Sequence, residues 1–392
     1  MIKKKVCIIG MGPAGLMAGT VLLEQGFEVH FFDQKKTAGR KFLVAGDGGF
    51  NLTHSEDMEI FLKRYNHPFL QNAFLKFDNN AWRSFLEGIG IKTYIGSSGK
   101  IFPEKGIKPI EVLTKWLEQI TSLGANVHHS HTLLNFDQKE ALFTVGEKQV
   151  THHFDFLILS MGGASWAKTG STGNWIDILK SKGVDCIPFE ASNAGFDIAN
   201  WKQLESLEGQ RIKNIEVKLG DTLRLGDLVI TKTGLEGPPI YFVNKAHRAN
   251  RSTPLILDLK PGKTEKELHE VLSCAKNVTE GLKKLNFSKT VIQLIKIRTT
   301  KEAFLSVEKL AFSVKNMPFK IQSTRPIDEA ISTVGGISME AVTDQFQLKK
   351  WPNIFACGEM LDWDAPTGGY LIQGCVSTGR IVGEAICLIP LP

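Results

Sequence analysis

The chain has 392 residues, of which 42% are hydrophobic and 22% are charged, and its formal net charge is +6. This length suits two or three compact units, and this composition is that of a soluble globular protein. No apolar run reaches the roughly 18 residues that a membrane-spanning helix needs, so we expect no membrane partner. The six cysteines are scattered without a C-x-x-C pair or metal-ligand spacing, which favours a reducing, cytoplasmic location.

The first predicted elements are a strand, a glycine turn, a helix and a second strand. Residues 6–9 have the apolar pattern of a buried strand, residues 14–25 have helical apolar spacing that ends at Gly26, and residues 27–32 have the pattern of another strand. The basic start of the chain also suits a secretory signal, but glycines, Pro13 and Glu24 interrupt its apolar part. We therefore expect a folded nucleotide-binding unit here.

The turn between the first strand and the helix has the spacing Gly10-x-Gly12-x-x-Gly15. In such a turn the first glycine allows the bend, the second lets the backbone approach a pyrophosphate, and the third lets helix and strand pack closely. The helix N-terminus faces the phosphates, and an acid at the end of the second strand accepts hydrogen bonds from the adenosine ribose. We expect an adenine dinucleotide to bind at Gly10, Gly12, Pro13, Ala14, Gly15, Asp33 and Gln34.

The central part of the chain is predicted to interrupt this nucleotide-binding domain. The first part of the domain covers residues 1–188, with a helix near 108–124 and a strand at 154–160 before Gly162, where backbone passes close to the cofactor. Residues 189–262 contain short alternating segments with Gly and Pro punctuation, which predict a β-rich unit, and residues 263–318 have helical patterns. Residues 319–392 return to the first domain.

The basic charge of the chain is concentrated in this insertion. Between Arg211 and Arg325 there are 22 Lys or Arg residues against 11 Asp or Glu residues. A solvated basic surface explains this excess, and so does an anionic substrate, a cofactor phosphate or a nucleic acid that meets the segment. Because aromatic residues are sparse in this segment and acidic residues are mixed through it, we expect a small-molecule substrate rather than a nucleic-acid partner.

The C-terminal segment favours FAD over NAD as the dinucleotide. Residues 351–357 have the pattern of a strand that ends at Gly358 and Glu359, and a helical run of about 371–388 follows Gly369 and Tyr370. A second strand end and a second helix N-terminus suit a cofactor that is longer than one binding turn. Glu359 is a candidate ligand of the ribityl chain, and the helix start near Ile372 is a candidate for stabilising negative charge on the reduced flavin.

Several motifs together resemble the BaiN/YhiN-like NAD(P)/FAD-dependent flavoproteins, nearly end to end. They are GMGPAG at 10–15, AGRKFLVAGDGGFNLTHS at 38–55, MGGASWAKTGSTG at 161–173, GDLVITKTGLEGPPIY at 226–241, ISTVGGISMEAV at 331–342 and CGEMLDWDAPTGGYLIQGCVSTGRIVGEA at 357–385. The resemblance implies an α/β fold: a Rossmann-like FAD-binding domain made from both chain ends, with an inserted β-barrel-like plus helical region. Many relatives read G-G-R-C-N-x-T where this chain has GGFNLT at 48–53, so no role of that cysteine can be transferred.

Other candidate residues have both a functional and a structural interpretation. Arg40 and Lys41 either contact the cofactor, with Lys41 near the flavin edge where negative charge develops, or form a solvated surface pair. Asn51 offers hydrogen bonds to the flavin edge or caps a loop. Gly335 and Gly336 either let backbone approach the isoalloxazine ring or form a simple turn. Further candidates for substrate contact are Trp166, Trp363, Asp362 and Asp364, each of which also suits a core or turn position.

Histidines 128, 129, 131, 152 and 153 look at first like a metal cluster. Alternation along strands points neighbouring side chains to opposite faces, and no nearby acid or cysteine completes a tetrahedral set. The sequence therefore predicts surface strands and no metal site.

The predicted function is that of an FAD-dependent oxidoreductase in which hydride passes between flavin N5 and a small organic substrate. No second G-x-G-x-x-G occurs, so NADH or NADPH is expected only as a transient reductant. The resemblance favours an NAD(P)H-linked reductase of enone-like compounds. The alternatives are a flavin oxidase acting on a small amine and a flavoprotein acting on RNA through the basic insertion. The catalytic residues remain open at this stage.

Overall fold

A computed structural model describes residues 3–45 and 49–390 of the chain. The chain forms two compact units, one of residues 1–190 and 332–392 and the other of residues 191–331. The described part of the GGFNLT motif begins at Gly49, and residues 46–48 lie outside the described ranges.

The described residues form 20 strands and 15 helices, with runs of consecutive strands in both units. The strands are β1 Lys5–Ile9, β2 Glu28–Asp33, β3 Thr53–His54, β4 Thr93–Ile95, β5 Lys100–Pro103, β6 Asn126–His129, β7 Thr132–Phe136, β8 Glu140–Val145, β9 Lys148–His153, β10 Phe156–Leu159, β11 Cys186–Ser192, β12 Phe196–Ile198, β13 Arg211–Leu219, β14 Thr222–Ile230, β15 Gly234–Glu236, β16 Leu255–Asp258, β17 Met317–Phe319, β18 Ile321–Thr324, β19 Ser332–Ile337 and β20 Ile354–Ala356.

The helices are α1 Pro13–Glu24, α2 Arg40–Val44, α3 Met58–Leu62, α4 Phe69–Lys76, α5 Asn79–Gly88, α6 Pro109–Ser122, α7 Trp175–Ser181, α8 Pro238–Phe242, α9 Asn244–Ala249, α10 Glu265–Ser273, α11 Val278–Lys284, α12 Lys289–Arg298, α13 Lys301–Leu305, α14 Val307–Lys315 and α15 Tyr370–Leu388. Short 3-10 turns lie at Ala167–Thr169, Trp201–Leu207, Ile327–Glu329, Met339–Ala341 and Gly358–Met360.

A five-stranded parallel sheet with the order β20-β10-β1-β2-β6 forms the centre of the first unit. β1 lies between β10 and β2, so that Val6 is opposite Phe156 on one side and Val29 on the other. The continuous apolar sequences of β1 and β10 are typical of strands that are buried on both faces. This sheet confirms the predicted Rossmann-like α/β fold, and it takes its outer strand β20 from the C-terminal segment.

Helices α1 and α15 pack closely against each other. Residues 14–23 of α1 are all buried. A Cβ added at Gly379 of α15 would lie 2.2 Å from the carbonyl oxygen of Ala14, so only glycine permits this approach. With 19 residues and a mean hydropathy of 1.2, α15 is long and apolar enough to cross a membrane, contrary to the expectation from the sequence, yet 61% of it is buried inside the protein. This burial is that of a core helix.

The second unit combines a seven-stranded antiparallel sheet with helices α10 to α14. The strand order is β17-β16-β13-β14-β15-β12-β18, so the short strands β17 and β18 are its ends. Strand residues such as Val217 and Leu257 share one hydrophobic core with helical residues such as Leu268 and Ile295. For that reason the expected division between residues 262 and 263 falls inside one compact unit. The unit also extends to residue 331 rather than 318, because β17 and β18 pair within its sheet.

Candidate cofactor-binding site

A cleft of about 210 Å³ opens at the carboxyl ends of β1, β2, β10 and β20 in the first unit. Ligands of open parallel sheets bind at this edge, beyond the strand ends. Most of the lining comes from four segments: the β1–α1 turn, the end of β2 with the start of α2, the residues after β10, and the residues after β20. His131, Thr132 and Leu133 at the start of β7 and Cys375 of α15 complete it. The predicted site residues among them are Gly10, Gly12, Pro13, Ala14, Asp33, Gln34, Arg40, Lys41, Gly162, Gly358 and Glu359.

The glycine turn has the geometry that its sequence predicts. Gly10 has a φ of +103°, and a Cβ there would lie 2.3 Å from the carbonyl oxygen of Ser160. A Cβ on Gly15 would lie 2.2 Å from the carbonyl oxygen of Gly10, so this glycine serves helix–strand packing and does not line the cleft. A Cβ on Gly12 would meet no atom within 4 Å. The space beside Gly12 is therefore open, as a phosphate-binding turn requires.

The N-terminus of α1 presents free backbone donors to the cleft. Gly12 is the N-cap, Pro13 is the first helical residue, and the first bond of the helix runs from the Leu16 amide to the Gly12 carbonyl. The amides of Ala14 and Gly15 precede that bond and have no partner within the helix. Together with the positive end of the helix dipole, they form a site suited to an anionic group.

Asp33 is held at the end of β2 by two backbone amides. Its Oδ2 accepts a hydrogen bond from the Met11 amide at 3.2 Å, and its Oδ1 accepts one from the Lys35 amide at 2.8 Å. Burial raises the pKa of this carboxyl above its usual value, and the two backbone hydrogen bonds partly oppose that shift. The carboxylate keeps further lone pairs for the hydroxyl groups of a ribose. Beside it, the Gln34 side chain donates to the Gly170 carbonyl at 2.6 Å.

Lys41 joins the two chain ends on the other side of the cleft. Its Nζ donates hydrogen bonds to Ser165 Oγ and to Glu359 Oε2, both at 2.8 Å. The side chains of Lys41 and Glu359 are 24% and 12% exposed, so the ion pair is shielded from solvent far more than a surface pair. The pair fixes the ammonium group and the carboxylate at the edge of one cleft, although 318 residues separate them in the chain.

The C-terminal turn packs directly on the start of α1. Gly358 has a φ of +74°, and a Cβ there would lie 2.8 Å from the Cβ of Ala14. The Trp363 side chain braces this turn, since its Nε1 donates to the Gly358 carbonyl at 2.8 Å. Cys375 of α15 also lines the cleft, and burial, together with the nearby Glu359 carboxylate, raises the pKa of its thiol. The two glycine motifs therefore lie together at one site.

Other predicted site residues lie outside the cleft lining. The positive φ values of Gly335 and Gly336 allow close packing, because added Cβ atoms would lie 2.4 Å from the Pro188 carbonyl oxygen and 2.3 Å from that of Met360. Gly369, with a φ of +96°, is the N-cap of α15 and packs on Thr53. Contact of these residues with a cofactor stays a prediction. The predicted site residues that lie outside the cleft lining are Gly15, Asn51, Gly335, Gly336, Gly369, Tyr370 and Ile372.

Tyr370 lies in a separate polar cluster. Its hydroxyl is beside the Glu56–Arg64 ion pair, and burial raises the pKa of the phenol. The Tyr65 hydroxyl donates to the Tyr370 carbonyl at 2.7 Å. This arrangement gives Tyr370 a structural role at the start of α15, which positions the free amides of that helix.

The remaining candidates divide into structural and exposed residues. Asp362 accepts a hydrogen bond from the Gly335 amide at 2.9 Å, and Asp364 and Trp363 are buried. Trp166 differs from them, because it combines a φ of +62° with a side chain that is 38% exposed. A bulky residue in the left-handed region is rare and tends to occur at functional sites.

Sequence patterns gave no indication of several cleft residues. Ser160 lies at the end of the predicted strand 154–160, and its Oγ bonds to the carbonyls of Ile9 and Gly10 at 2.9 and 2.8 Å. Its position after a buried strand was the only available signal. Sequence patterns do not single out Trp175, and they include Ser171, Thr172 and His131 without predicting a position at the cleft. All four reach the cleft through tertiary contacts.

The residues of the cleft fit FAD on chemical grounds. Open space beside Gly12 and free amides at the start of α1 suit a pyrophosphate, and Asp33 suits a ribose. The Lys41–Glu359 pair adds a cation and a carboxylate from the opposite end of the chain. A mononucleotide would engage only one of these two sets.

Comparisons with known proteins show the family of this chain. A family described as HI0933-like protein Rossmann domain matches residues 4–385. A ribosomal RNA dihydrouridine synthase of Haemophilus influenzae is 24% identical over 381 residues, covering 93% of this chain and 94% of the relative. A 3-dehydro-bile acid delta(4,6)-reductase of Clostridium scindens is 21% identical over 408 residues, covering 97% of this chain and 98% of the relative.

The fold is also shared with a solved structure. A 3-ketosteroid-delta4-(5alpha)-dehydrogenase from Rhodococcus jostii has a TM-score of 0.55 and 13% identity, covering 97% of this chain and 96% of that chain. These matches confirm the predicted family resemblance and the predicted class, that of FAD-dependent oxidoreductases. The chain belongs to the HI0933-like family of Rossmann-domain proteins.

Proposed function

We propose that this protein reduces a carbon–carbon double bond conjugated to a carbonyl group, using FAD as bound cofactor and NADH or NADPH as transient reductant. One observation carries the proposal: a single cleft brings the amides at the start of α1 and the Lys41–Glu359 pair to the same space. The names of two relatives support the reaction type. The uracil ring and a 3-oxo-4,6-diene each contain a double bond conjugated to a carbonyl.

The residues of the cleft have distinct expected tasks. Bound FAD supplies a hydride at N5, and the protein orients the reacting groups and stabilises charge. The Ala14 amide at the start of α1 would hold the pyrophosphate, and Asp33 would hold the ribose. Lys41, fixed by its hydrogen bonds to Ser165 and Glu359, would supply positive charge to stabilise an anionic reduced cofactor.

The nicotinamide reductant is expected to bind only briefly. The sequence has a single G-x-G-x-x-G turn, so the chain offers one dedicated dinucleotide site. All six cysteines are free thiols, which suits the predicted cytoplasmic location, and that location stays a prediction.

We place uridine in RNA ahead of a free small molecule as the substrate, in contrast to the order expected from the sequence alone, because a relative that matches nearly the whole chain is named a ribosomal RNA dihydrouridine synthase. The segment from Arg211 to Arg325 has 22 basic residues against 11 acidic ones, and exposed lysines such as Lys276, Lys283 and Lys289 lie on or beside its helices. The printed name of the Haemophilus relative agrees with this choice. A small enone remains the second candidate, as the Clostridium relative suggests.

Anaerobic reduction of the purified, FAD-loaded protein tests the reaction type. We expect NADH or NADPH to bleach the visible flavin band, and we expect reoxidation by a substrate that gains two hydrogens. Ribosomal RNA and a 3-oxo-4-ene steroid are offered separately, and mass spectrometry detects the saturated product. Bleaching by neither nicotinamide would refute the reductase, and bleaching by small amines instead would favour the oxidase.

The salt dependence of RNA binding tests the substrate class. We expect the logarithm of the binding constant to fall with the logarithm of the salt concentration, by roughly 0.7 for each phosphate contact to single-stranded RNA. Replacing Lys283 and Lys284 of α11 with Gln should reduce this slope by about one to two contacts. Lys115→Gln, on α6 of the first unit, is the control that leaves it unchanged. Absence of RNA binding at low salt would leave the small enone as the substrate.

A further inference from the structure

Three histidines of the first unit come together beside the cofactor cleft. His128 lies in β6, His131 lies in the turn between β6 and β7, and His152 lies in β9. One ring nitrogen of each can be chosen so that all three lie within 4.8 Å of one another. We propose that these three imidazoles bind a divalent transition-metal ion of the zinc type.

The hydrogen bonds around two of the rings leave a free lone pair on each. His131 Nδ1 is 2.8 Å from the carbonyl oxygen of His129, and since a carbonyl only accepts, this nitrogen carries the proton. In the neutral ring, Nε2 of His131 is then an unprotonated nitrogen. A metal-binding histidine is commonly fixed in this way, by a backbone acceptor at its other nitrogen.

A relay of side chains fixes the ring of His128. Glu28 Oε1 accepts from His30 Nε2 at 2.8 Å, which leaves Nδ1 of the neutral His30 ring as an acceptor. His128 Nε2 lies 3.0 Å from that Nδ1, so it donates, and Nδ1 of His128 keeps its lone pair. In many metal sites, a carboxylate outside the first coordination sphere fixes the ring of a metal-binding histidine through a hydrogen bond, and here the carboxylate acts through His30.

His152 provides the third, independent observation. Its Nε2 is buried and has no hydrogen-bond partner among the described residues. A buried polar atom without a partner is costly and calls for an explanation, and a bound ion supplies one.

Aromatic packing explains the ring planes but not this unpaired nitrogen. Phe32 stacks on His128 with ring centroids 4.6 Å apart and on Phe143 at 4.4 Å. The ring of His152 meets Phe32 edge-on, with the ring centroids 4.7 Å apart. These contacts hold the imidazoles in place, as a preorganised site needs, and none of them provides a partner for a lone pair.

The expectation of surface strands without a metal site considered each strand alone. His129 and His153 are exposed, as alternation along a strand predicts. His128, His131 and His152 come from different sheets or the turn between them: β6 is an end strand of the parallel sheet, and β9 belongs to the separate sheet β7-β8-β9. That arrangement is tertiary and leaves no signal in residue spacing.

The donor set defines the class of ion and its structural effect. Neutral imidazole nitrogens suit Zn²⁺, Co²⁺, Ni²⁺ or Cu²⁺ and disfavour Mg²⁺ and Ca²⁺, which prefer oxygen. Three protein ligands leave a fourth position for water. A bound ion would fasten β6 to β9, and because His131 also lines the cofactor cleft, it would lie at the edge of the adenosine side.

Metal titration of the untagged, chelator-treated protein tests the proposal. We expect one Zn²⁺ per chain in competition with a chromophoric chelator, a rise in the thermal midpoint with Zn²⁺ but not with Mg²⁺, and visible bands of tetrahedral type with Co²⁺. His152→Phe, which keeps the aromatic packing, should weaken Zn²⁺ binding at least about tenfold. His129→Gln and His153→Gln are the matched controls that keep wild-type affinity.

The outcomes separate the metal site from other effects. If wild-type protein binds no Zn²⁺ at micromolar concentration, or if His152→Phe binds it as well as wild type, the proposal is wrong. Equal losses in both control variants would indicate scattered surface binding and would also overturn it. The thermal midpoint of metal-free His152→Phe shows whether the variant is folded. None of these readouts depends on flavin or on the reaction proposed above.

Discussion

Substituting Gly12 with alanine should separate cofactor binding from folding. Gly12 has a φ of −83° and a ψ of 179°, which alanine adopts without strain, and the new Cβ would meet no protein atom within 4 Å. The methyl group would project into the open space that we assign to the pyrophosphate. Its cost to folding is the loss of a good N-cap residue, up to about 1 kcal/mol.

The effect on FAD affinity should be larger than the effect on folding. A methyl group that displaces the pyrophosphate from one backbone amide removes a hydrogen bond to a charged group, which contributes about 1.5–3 kcal/mol. At 1.4 kcal/mol for each factor of ten, the dissociation constant should rise about 10- to 100-fold.

Gly10→Ala is the matched variant, in which we expect the loss of folding stability to be the main effect. Its φ of +103° and the approach of the Cβ to 2.3 Å from the Ser160 oxygen combine backbone strain with overpacking. These effects cost about 1–3 kcal/mol each, so we expect a total loss of about 2–6 kcal/mol in the free energy of unfolding. The thermal midpoint should fall by on the order of 10 °C.

Two measurements on each apoprotein decide the matter. Quenching of FAD fluorescence gives the dissociation constant, and urea unfolding followed by circular dichroism gives the stability. Wild-type FAD affinity in a folded Gly12→Ala protein would refute the assignment of the pyrophosphate to this turn. A Gly10→Ala protein as stable as wild type would refute the packing argument.

Three further predictions concern the first unit. If Lys41 lies at the flavin edge, as we propose, Lys41→Met should slow flavin reduction by NADH or NADPH about 10- to 100-fold in stopped-flow measurements. Lys41→Arg keeps the positive charge and should be less affected, and equal rates in all three proteins would exclude that role. Burial raises the pKa of Asp33 in the folded state, so the contribution of this carboxyl to stability is present at low pH and is lost as the pH rises through that pKa. Asp33→Asn should therefore be more favourable for folding near pH 7 than near about pH 4, as urea titrations at both values would show. A difference of the opposite sign would contradict the shift. Gly379→Ala should destabilise the protein by about 1–3 kcal/mol through its contact with α1. Gly88→Ala is the control: a Cβ there meets nothing within 4 Å, so the urea midpoint should change little or rise. Similar effects of the two substitutions would count against the close helix contact.

Local patterns predicted the first elements of the fold to within a residue. The strand expected at 6–9 is Lys5–Ile9, the helix expected at 14–25 is Pro13–Glu24, and the turn between them needs its glycines for steric reasons. The hairpin of β13 and β14 follows the alternation in its sequence. In each case the signal and the structure involve residues that are neighbours in the chain.

Contacts between distant segments escaped such patterns. The hydrogen bonds of Lys41 with Ser165 and Glu359 join three segments whose spacing in sequence carries no period. The strands at 317–324 are too short to show alternation, so sequence patterns do not reveal that the second unit continues to residue 331. Gly335 and Gly336 share the positive φ of functional glycines, yet their closest contacts are with packed backbone.

The use of both chain ends in one sheet has a consequence during synthesis on the ribosome. β20 and α15 are translated more than 300 residues after α1. At about 5–20 residues per second, the apolar face of α1 waits tens of seconds in the nascent chain before its partner helix emerges. Truncated products that stop before residue 370 would lack the cover of that face, and in cells we expect them to be held by chaperones or degraded.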